Sequence, residues 1–168
     1  MSFGPYSENE VFRIEDSSIY LRFRNKGVKT VDFVLFRENN KLIFVEAKSS
    51  VPNVAENGDP KGSIQELADK LLHSASIFTS LVAGQNKTDD IPIPLWLSGL
   101  DMSQTRVAYV IIVSKAERDH LPPIRDSLLG KLCELLSVHA NIWNFDLRTS
   151  ISVITKEQAI RIGLAVED

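Results

Sequence analysis

Two apolar runs joined by a short polar turn constrain this chain more than any other stretch. Residues 31–36 and 42–47 are rich in β-branched and aromatic side chains, and the polar residues 38–41 separate them. Such runs, bounded by turn-forming residues, predict the two strands of a hairpin. Both runs are apolar on both faces over most of their length, which is typical of central strands in a sheet covered on both sides.

Three charged residues interrupt this apolar hairpin, namely Asp32, Glu46 and Lys48. Charges in buried strands are costly unless they are paired or bind a metal. If the loop is odd (residues 38–40, with Asn40 left-handed and a bulge), Asp32 lies opposite Glu46, and all three charges share one face. A two-residue loop instead places Asp32 on the other face. Two facing carboxylates repel each other without a cation, so the odd register predicts a site for Mg²⁺ or Mn²⁺.

The arrangement of Asp32 on one strand and Glu46-Ala47-Lys48 at the end of the next resembles the PD-(D/E)xK, or restriction-endonuclease-like, nuclease superfamily. The resemblance covers roughly the first half of the chain. It implies a metal-dependent nuclease in which Asp32, Glu46 and the carbonyl of Ala47 bind Mg²⁺ or Mn²⁺. It also implies that Lys48 activates water or stabilises the transition state. Val31 stands where the motif has proline, and Glu8 and Glu10 lie in a leader without the periodicity of the family's first helix.

Some members of that family carry a functional Gln or Lys on the helix after the E-x-K strand, which makes Gln65 and Lys70 further candidates. A solvated helix face is the simpler explanation for both. The D…ExK pattern also occurs by chance, and an E-x-K strand end is often an exposed edge. Two other functions therefore stay open: a nuclease-like interaction or assembly subunit that no longer cuts, and a small regulatory, immunity-type protein in which Glu46 and Lys48 form a salt bridge.

The distribution of charge favours a nucleic-acid substrate near the hairpin. The whole chain has a net charge of −3, which argues against a strong non-specific nucleic-acid binder. Residues 20–48, however, contain seven basic and three acidic residues, so this segment carries +4. A basic rim suits a phosphate backbone, and the predicted contacts are Arg24, Lys26 and Lys29 of this segment and Lys61 in the loop after Lys48. The nuclease hypothesis favours DNA over RNA as the substrate. The competing interpretation is an ordinary solvent-exposed hairpin face.

The remaining patterns predict the fold class. Residues 11–23 alternate as a further hairpin, a capping box at Ser63 and Glu66 opens a helix that ends at Gly84, and residues 107–113 form a buried strand. A helix over 122–138, short strands over 142–147 and 151–154, and a last helix capped by Thr155 and Gln158 follow. We therefore expect one α/β (or α+β) domain over residues 1–168. Its mixed central sheet opens with antiparallel strands and has helices on both faces. The resemblance adds the expectation of a restriction-endonuclease-like core.

Cysteine content and hydropathy indicate the compartment. Cys133 is the single cysteine, which excludes an internal disulfide and fits a reducing environment. No apolar run approaches the length of a membrane span, and the N-terminus lacks the layout of a signal peptide. We expect a cytoplasmic protein with no membrane partner. A homodimer or larger complex stays open.

Overall fold

The centre of the molecule is a five-stranded mixed sheet with strand order β1-β2-β3-β4-β5. The computed structural model describes residues 1–7, 9–37, 40–50, 60–84, 94–143 and 146–167. The strands β1, β2 and β3 pair antiparallel, whereas β3, β4 and β5 pair parallel. The strands are β1 Val11–Phe12, β2 Phe33–Arg37, β3 Lys41–Ser50, β4 Arg106–Lys115 and β5 Ile151–Thr155.

Helices connect and cover these strands. Each parallel pair requires a crossover, and α2 and α4 provide the two crossovers. The helices are α1 Ser18–Phe23, α2 Pro60–Val82, α3 Leu95–Ser98, α4 Leu121–Trp143, α5 Leu147–Ser150 and α6 Lys156–Arg161. Short 3-10 turns lie at Ile14–Asp16, Arg24–Lys26 and Arg118–His120. Within the described residues, no helix is long and apolar enough to cross a membrane.

Both faces of the sheet are buried. The larger core lies under α2 and α4, where Phe44 of β3 and Ile111 of β4 meet Phe78 and Leu128 of the helices. The opposite face packs Val45 and Ile112 against Ala159 of α6 and the C-terminal Leu164. The predicted α/β class, with a mixed sheet and helices on both faces, is confirmed.

The β2–β3 hairpin has the odd register. Arg37 pairs with Lys41, which leaves a three-residue loop, and Asn40 has a positive φ of 54°. A residue in this left-handed conformation is typical of three-residue hairpin loops, and asparagine tolerates it better than most side chains. Residues 38 and 39 lie outside the described part. The pairing of Arg37 with Lys41 and the left-handed conformation of Asn40 confirm the odd register, on which the position of the charged residues depends.

The N-terminal segment differs from the sequence prediction. Only Val11–Phe12 forms a strand, and residues 18–23 form helix α1 instead of the second strand of a hairpin. The Ser17 hydroxyl accepts a hydrogen bond from the backbone N–H of Tyr20 at 3.2 Å, and so caps the helix. The prediction of a hairpin over 11–23 is wrong because the polar residues taken for its turn contain this N-cap, and Ile19 is buried as a helical residue.

Two other boundaries also change. Helix α2 begins at Pro60, so Ser63 and Glu66 lie inside it and do not form the predicted capping box. Helix α4 continues to Trp143 and α5 follows with Asp146 as its N-cap, so the predicted strand over 142–147 is wrong. Short apolar runs do not distinguish helix from strand by periodicity. The buried strand β4, strand β5 and the capping box at Thr155 and Gln158 are confirmed.

Candidate functional site

The three charged residues of the hairpin lie near one another, at the point where β2 begins and along β3. The pairing of Phe33 with Val45 places the next residues outward, Asp32 and Glu46, opposite each other where β2 begins. Side chains alternate along a strand, so Glu46 and Lys48 follow Leu42 and Phe44 on the face beneath α2. Glu46 and Lys48 share one face, and Asp32 lies across from Glu46 in the predicted odd register, whereas the roles of all three stay predictions.

Glu46 is a buried carboxylate with two lysine partners. The residue is 1% exposed, and its Oε1 accepts a hydrogen bond from Lys70 Nζ at 2.7 Å and lies 3.4 Å from Lys48 Nζ. Burial raises the pKa of Glu46, the hydrogen bond from Lys70 opposes this, and the nearby charge of Asp32 raises the pKa further. Glu46 Oε2 is buried and has no hydrogen-bond partner among the described residues. One oxygen is thus paired with two lysines, whereas the other has no hydrogen-bond partner in the described part of the chain.

Lys48 bridges two acidic residues. Its Nζ lies 3.2 Å from Oε1 of Glu66 on α2, in addition to the contact with Glu46. Burial lowers the pKa of Lys48, but the two carboxylates together outweigh that effect and raise it, while Lys48 lowers the pKa of Glu66. Glu66 Oε2 also lies 3.8 Å from Lys29 Nζ. The lysine is therefore charged and held beside Glu46.

Asp32 is exposed, and its side chain binds a backbone amide just beyond the last paired residues of β2 and β3. Its Oδ2 accepts a hydrogen bond from the backbone N–H of Ala47 at 2.7 Å. Because β2 starts only at Phe33, this side chain satisfies a β3 amide beyond the end of the pairing. Asp32 thus carries negative charge at the surface directly beside the buried Glu46.

The donor set fits a small, hard cation. The exposed Asp32 carboxylate and Glu46 Oε2, which has no hydrogen-bond partner in the described part of the chain, are oxygen donors of the kind that Mg²⁺ or Mn²⁺ binds, and the resemblance adds the carbonyl of Ala47. Among the described residues, no group of three or more His, Cys, Asp or Glu side chains could hold a metal. Magnesium commonly uses one or two carboxylates, with water and substrate phosphate as its other ligands. Two carboxylates are within the number that such a site uses, so the metal site stays a prediction.

Other predicted residues lie apart from this cluster. Gln65 donates a hydrogen bond from Nε2 to Asp69 Oδ1 at 2.6 Å, on the side of α2 that faces a cavity shared with α4. Glu10 lies at the far end of β2, where it pairs with Arg37 at 3.7 Å, so it adds no ligand. Glu8 and the Lys61 side chain lie outside the described residues. Of the predicted nucleic-acid contacts, Lys29 reaches the cluster through Glu66, and Arg24 and Lys26 are exposed on the preceding turn.

Helix α2 supplies residues that the sequence analysis undervalued. Lys70 is the cation nearest to Glu46, and Glu66 pairs with Lys48. The sequence pattern alone explains Glu66 as part of a capping box and Lys70 as part of a solvated helix face. His73 Nδ1 accepts the Lys29 N–H at 3.2 Å, and Ser74 Oγ accepts the Val31 N–H at 2.9 Å. These four residues recur at intervals of four, three and one, which is one helical stripe. In the sequence, this polar stripe beside the apolar stripe of the same helix could have predicted that α2 contacts the charged hairpin.

We compared the chain with family models, with curated proteins and with solved structures, and none of the three comparisons found a significant match.

Proposed function

We propose that the protein is a metal-dependent nuclease that hydrolyses phosphodiester bonds, of DNA more than of RNA. The observation that carries this proposal is the buried Glu46 Oε2, which has no hydrogen-bond partner among the described residues, beside the exposed carboxylate of Asp32. A fold has no evident reason to bury an acid with one oxygen unsatisfied, because an unpaired buried polar atom costs stability. A divalent ion held by these two acids offsets that cost.

Each residue has a distinct task in this proposal. Asp32 and Glu46, with the Ala47 carbonyl, hold Mg²⁺ or Mn²⁺, which when bound lowers the pKa of coordinated water and offsets charge on the scissile phosphate. Lys48 presents its ammonium beside Glu46 and stabilises negative charge on the phosphate in the transition state, or orients the attacking water. Glu66 keeps Lys48 charged and restricts its position.

A second function is favoured by a different observation. Glu46 is already neutralised by Lys70 and Lys48, and Glu66 in turn engages Lys48. A closed ion-pair network of this kind also suits a metal-free interaction or immunity-type protein, whose cluster fixes α2 on the sheet. Such a protein binds a protein partner and does not cut nucleic acid.

The test combines cleavage and metal binding. Wild-type protein is incubated with supercoiled plasmid and with labelled single-stranded oligonucleotide, with Mg²⁺, Mn²⁺ or EDTA. We expect cleavage that EDTA abolishes and that falls at least about 10²-fold in Asp32→Asn, Glu46→Gln and Lys48→Met. Calorimetry should show that Asp32→Asn and Glu46→Gln lose metal binding, while Lys48→Met keeps it.

A matched control is Glu134→Gln, which removes an exposed acid on α4 whose partner is Lys131. It should cut like wild type. If the wild type binds neither ion and cuts neither substrate, the metal-free function replaces the nuclease. If Asp32→Asn cuts as fast as wild type, the metal assignment is wrong.

A further inference from the structure

The segment that leads into the site exposes basic and apolar side chains together. Helix α1 and the 3-10 turn Arg24–Lys26, which we call the basic ridge, lie shortly before Lys29 in the segment that leads into β2. Residues 17–31 contain four basic residues and no Asp or Glu. Since the whole chain has a net charge of −3, the remainder carries −7, and positive charge is concentrated here.

The ridge also leaves large apolar side chains in solvent. Ile19 and Tyr20 of α1 pack against the core, but Leu21 is 44% and Phe23 is 40% exposed. The Nζ of Lys26 lies 5.3 Å from the centroid of the Phe23 ring. An ordinary solvated helix face does not need an aromatic ring on its outer side, whereas single-strand nucleic-acid sites combine basic groups with aromatic rings on which bases stack.

The ridge is close to the proposed catalytic residues. Lys26 and Lys29 are three residues apart, which limits their Cα atoms to a separation of about 11 Å. Lys29 is fixed on α2 by its N–H bond to His73, and its Nζ lies 3.8 Å from Glu66, the partner of Lys48. The ridge is therefore linked through Lys29 and Glu66 to Lys48, which lies beside Glu46.

We propose that the basic ridge is a docking surface for single-stranded nucleic acid, with Phe23 stacking on an unpaired base and Arg24 and Lys26 binding phosphates. This inference rests on the proposed nuclease function and narrows its substrate to single strands or to single-stranded parts of branched molecules. A duplex keeps its bases stacked on one another, so Phe23 has no base face to contact there.

Binding without metal separates docking from cleavage. Fluorescence anisotropy of a labelled oligothymidylate and of a labelled duplex, both in EDTA, measures affinity with the full chain. Wild type should prefer the single strand. Phe23→Ala should weaken single-strand binding about tenfold and leave duplex binding unchanged. The double variant Arg24→Gln/Lys26→Gln should weaken both and reduce the slope of log affinity against log salt by about 1.4 for the single strand.

The matched controls lie on α6 and its end, against the other face of the sheet. Ile162→Ala removes a 60% exposed apolar side chain, and Arg161→Gln removes an exposed cation, so both should bind like wild type. Equal affinity for duplex and single strand, or an unchanged Phe23→Ala, overturns the docking proposal. So does binding of the ridge to anionic phospholipid vesicles and not to oligonucleotide. Single-strand binding without any cleavage in Mg²⁺ keeps the ridge and overturns the nuclease.

Discussion

The two faces of β3 differ in one respect that matters for function. On the α6 face, Ile43 and Val45 meet other apolar side chains. On the α2 face, Leu42 and Phe44 are followed by the buried Glu46 and then by Lys48. On its α6 face β3 therefore contributes only apolar side chains to the core, whereas on its α2 face it places a glutamate at the edge of the core. Burying a charge costs several kcal/mol before its partners offset it, so the fold itself gives no evident reason for the acid on this face.

The first test of this difference places an acid on the α6 face of β3, where the wild type has none. Val45 is fully buried, and neighbours such as Phe33 and Ile43 offer no cation. We expect Val45→Glu to lower the free energy of unfolding by more than about 4 kcal/mol, because it buries an unpaired charge. Chemical denaturation followed by circular dichroism measures the change.

A neutral variant of the same length isolates the charge. Val45→Gln should cost less than Val45→Glu at neutral pH, and the difference should shrink as the pH falls and the new glutamate protonates. If Val45→Glu is within about 1 kcal/mol of wild type, both faces tolerate an acid and the comparison fails.

The second test removes the cation that neutralises Glu46. Lys70→Met leaves the buried carboxylate without its 2.7 Å partner, so we expect a loss of about 3 to 5 kcal/mol in the free energy of unfolding. The double variant Glu46→Leu/Lys70→Met replaces the pair with apolar groups and should be as stable as wild type or more stable. Urea denaturation of the single and double variants measures both changes.

The outcome of this pair of variants is diagnostic. Recovery in the double variant shows that the ion pair is not needed for folding, which is expected if it is kept for metal binding and catalysis. A double variant as unstable as the single one indicates that the pair fixes α2 on the sheet, which favours the metal-free function.

The charged face was largely predictable from the sequence, because local rules determine it. Two apolar runs bounded by turn residues predicted both strands, and the facing carboxylates favoured the odd register over the even one, which the structure confirms. The partners on α2 were not predictable in the same way. Lys70 lies 24 residues from Glu46 along the chain, and its contact depends on how the crossover helix packs on the sheet. Only the polar stripe at residues 66, 70, 73 and 74 hinted at that surface.

The errors in fold prediction have a common cause. Residues 11–23 and 142–147 are short stretches whose apolar pattern suits a strand as well as a helix. Ser17 and Asp146, which cap helices here, are residue types that also form turns. Tertiary packing decided both cases, as it did for the buried Ile19 of α1.

The smallest expected effect compares two glutamates of the cluster through their pH dependence, in metal-free protein. The pKa of Glu46 is raised by burial, so its contribution to stability is complete below the unfolded pKa of about 4.3 and is lost as pH rises through the folded pKa. The pKa of Glu66 is lowered by Lys48, so its contribution is present above about pH 4.3 and is lost as pH falls. Replacing either by Gln removes its own pH dependence.

The two variants should therefore tilt the profile of unfolding free energy against pH in opposite directions. Glu66→Gln should lose at most about 1 kcal/mol near neutral pH and nothing in acid, since its pair with Lys48 is partly exposed and screened by water. Glu46→Gln should remove the decline that Glu46 contributes to the wild-type profile above about pH 4.3. Denaturant titrations at several pH values measure both profiles. If the profiles of Glu46→Gln and Glu66→Gln are parallel, the contrast between a buried and an exposed acid is wrong. Burial would then not raise the pKa of Glu46 while Lys48 lowers the pKa of Glu66.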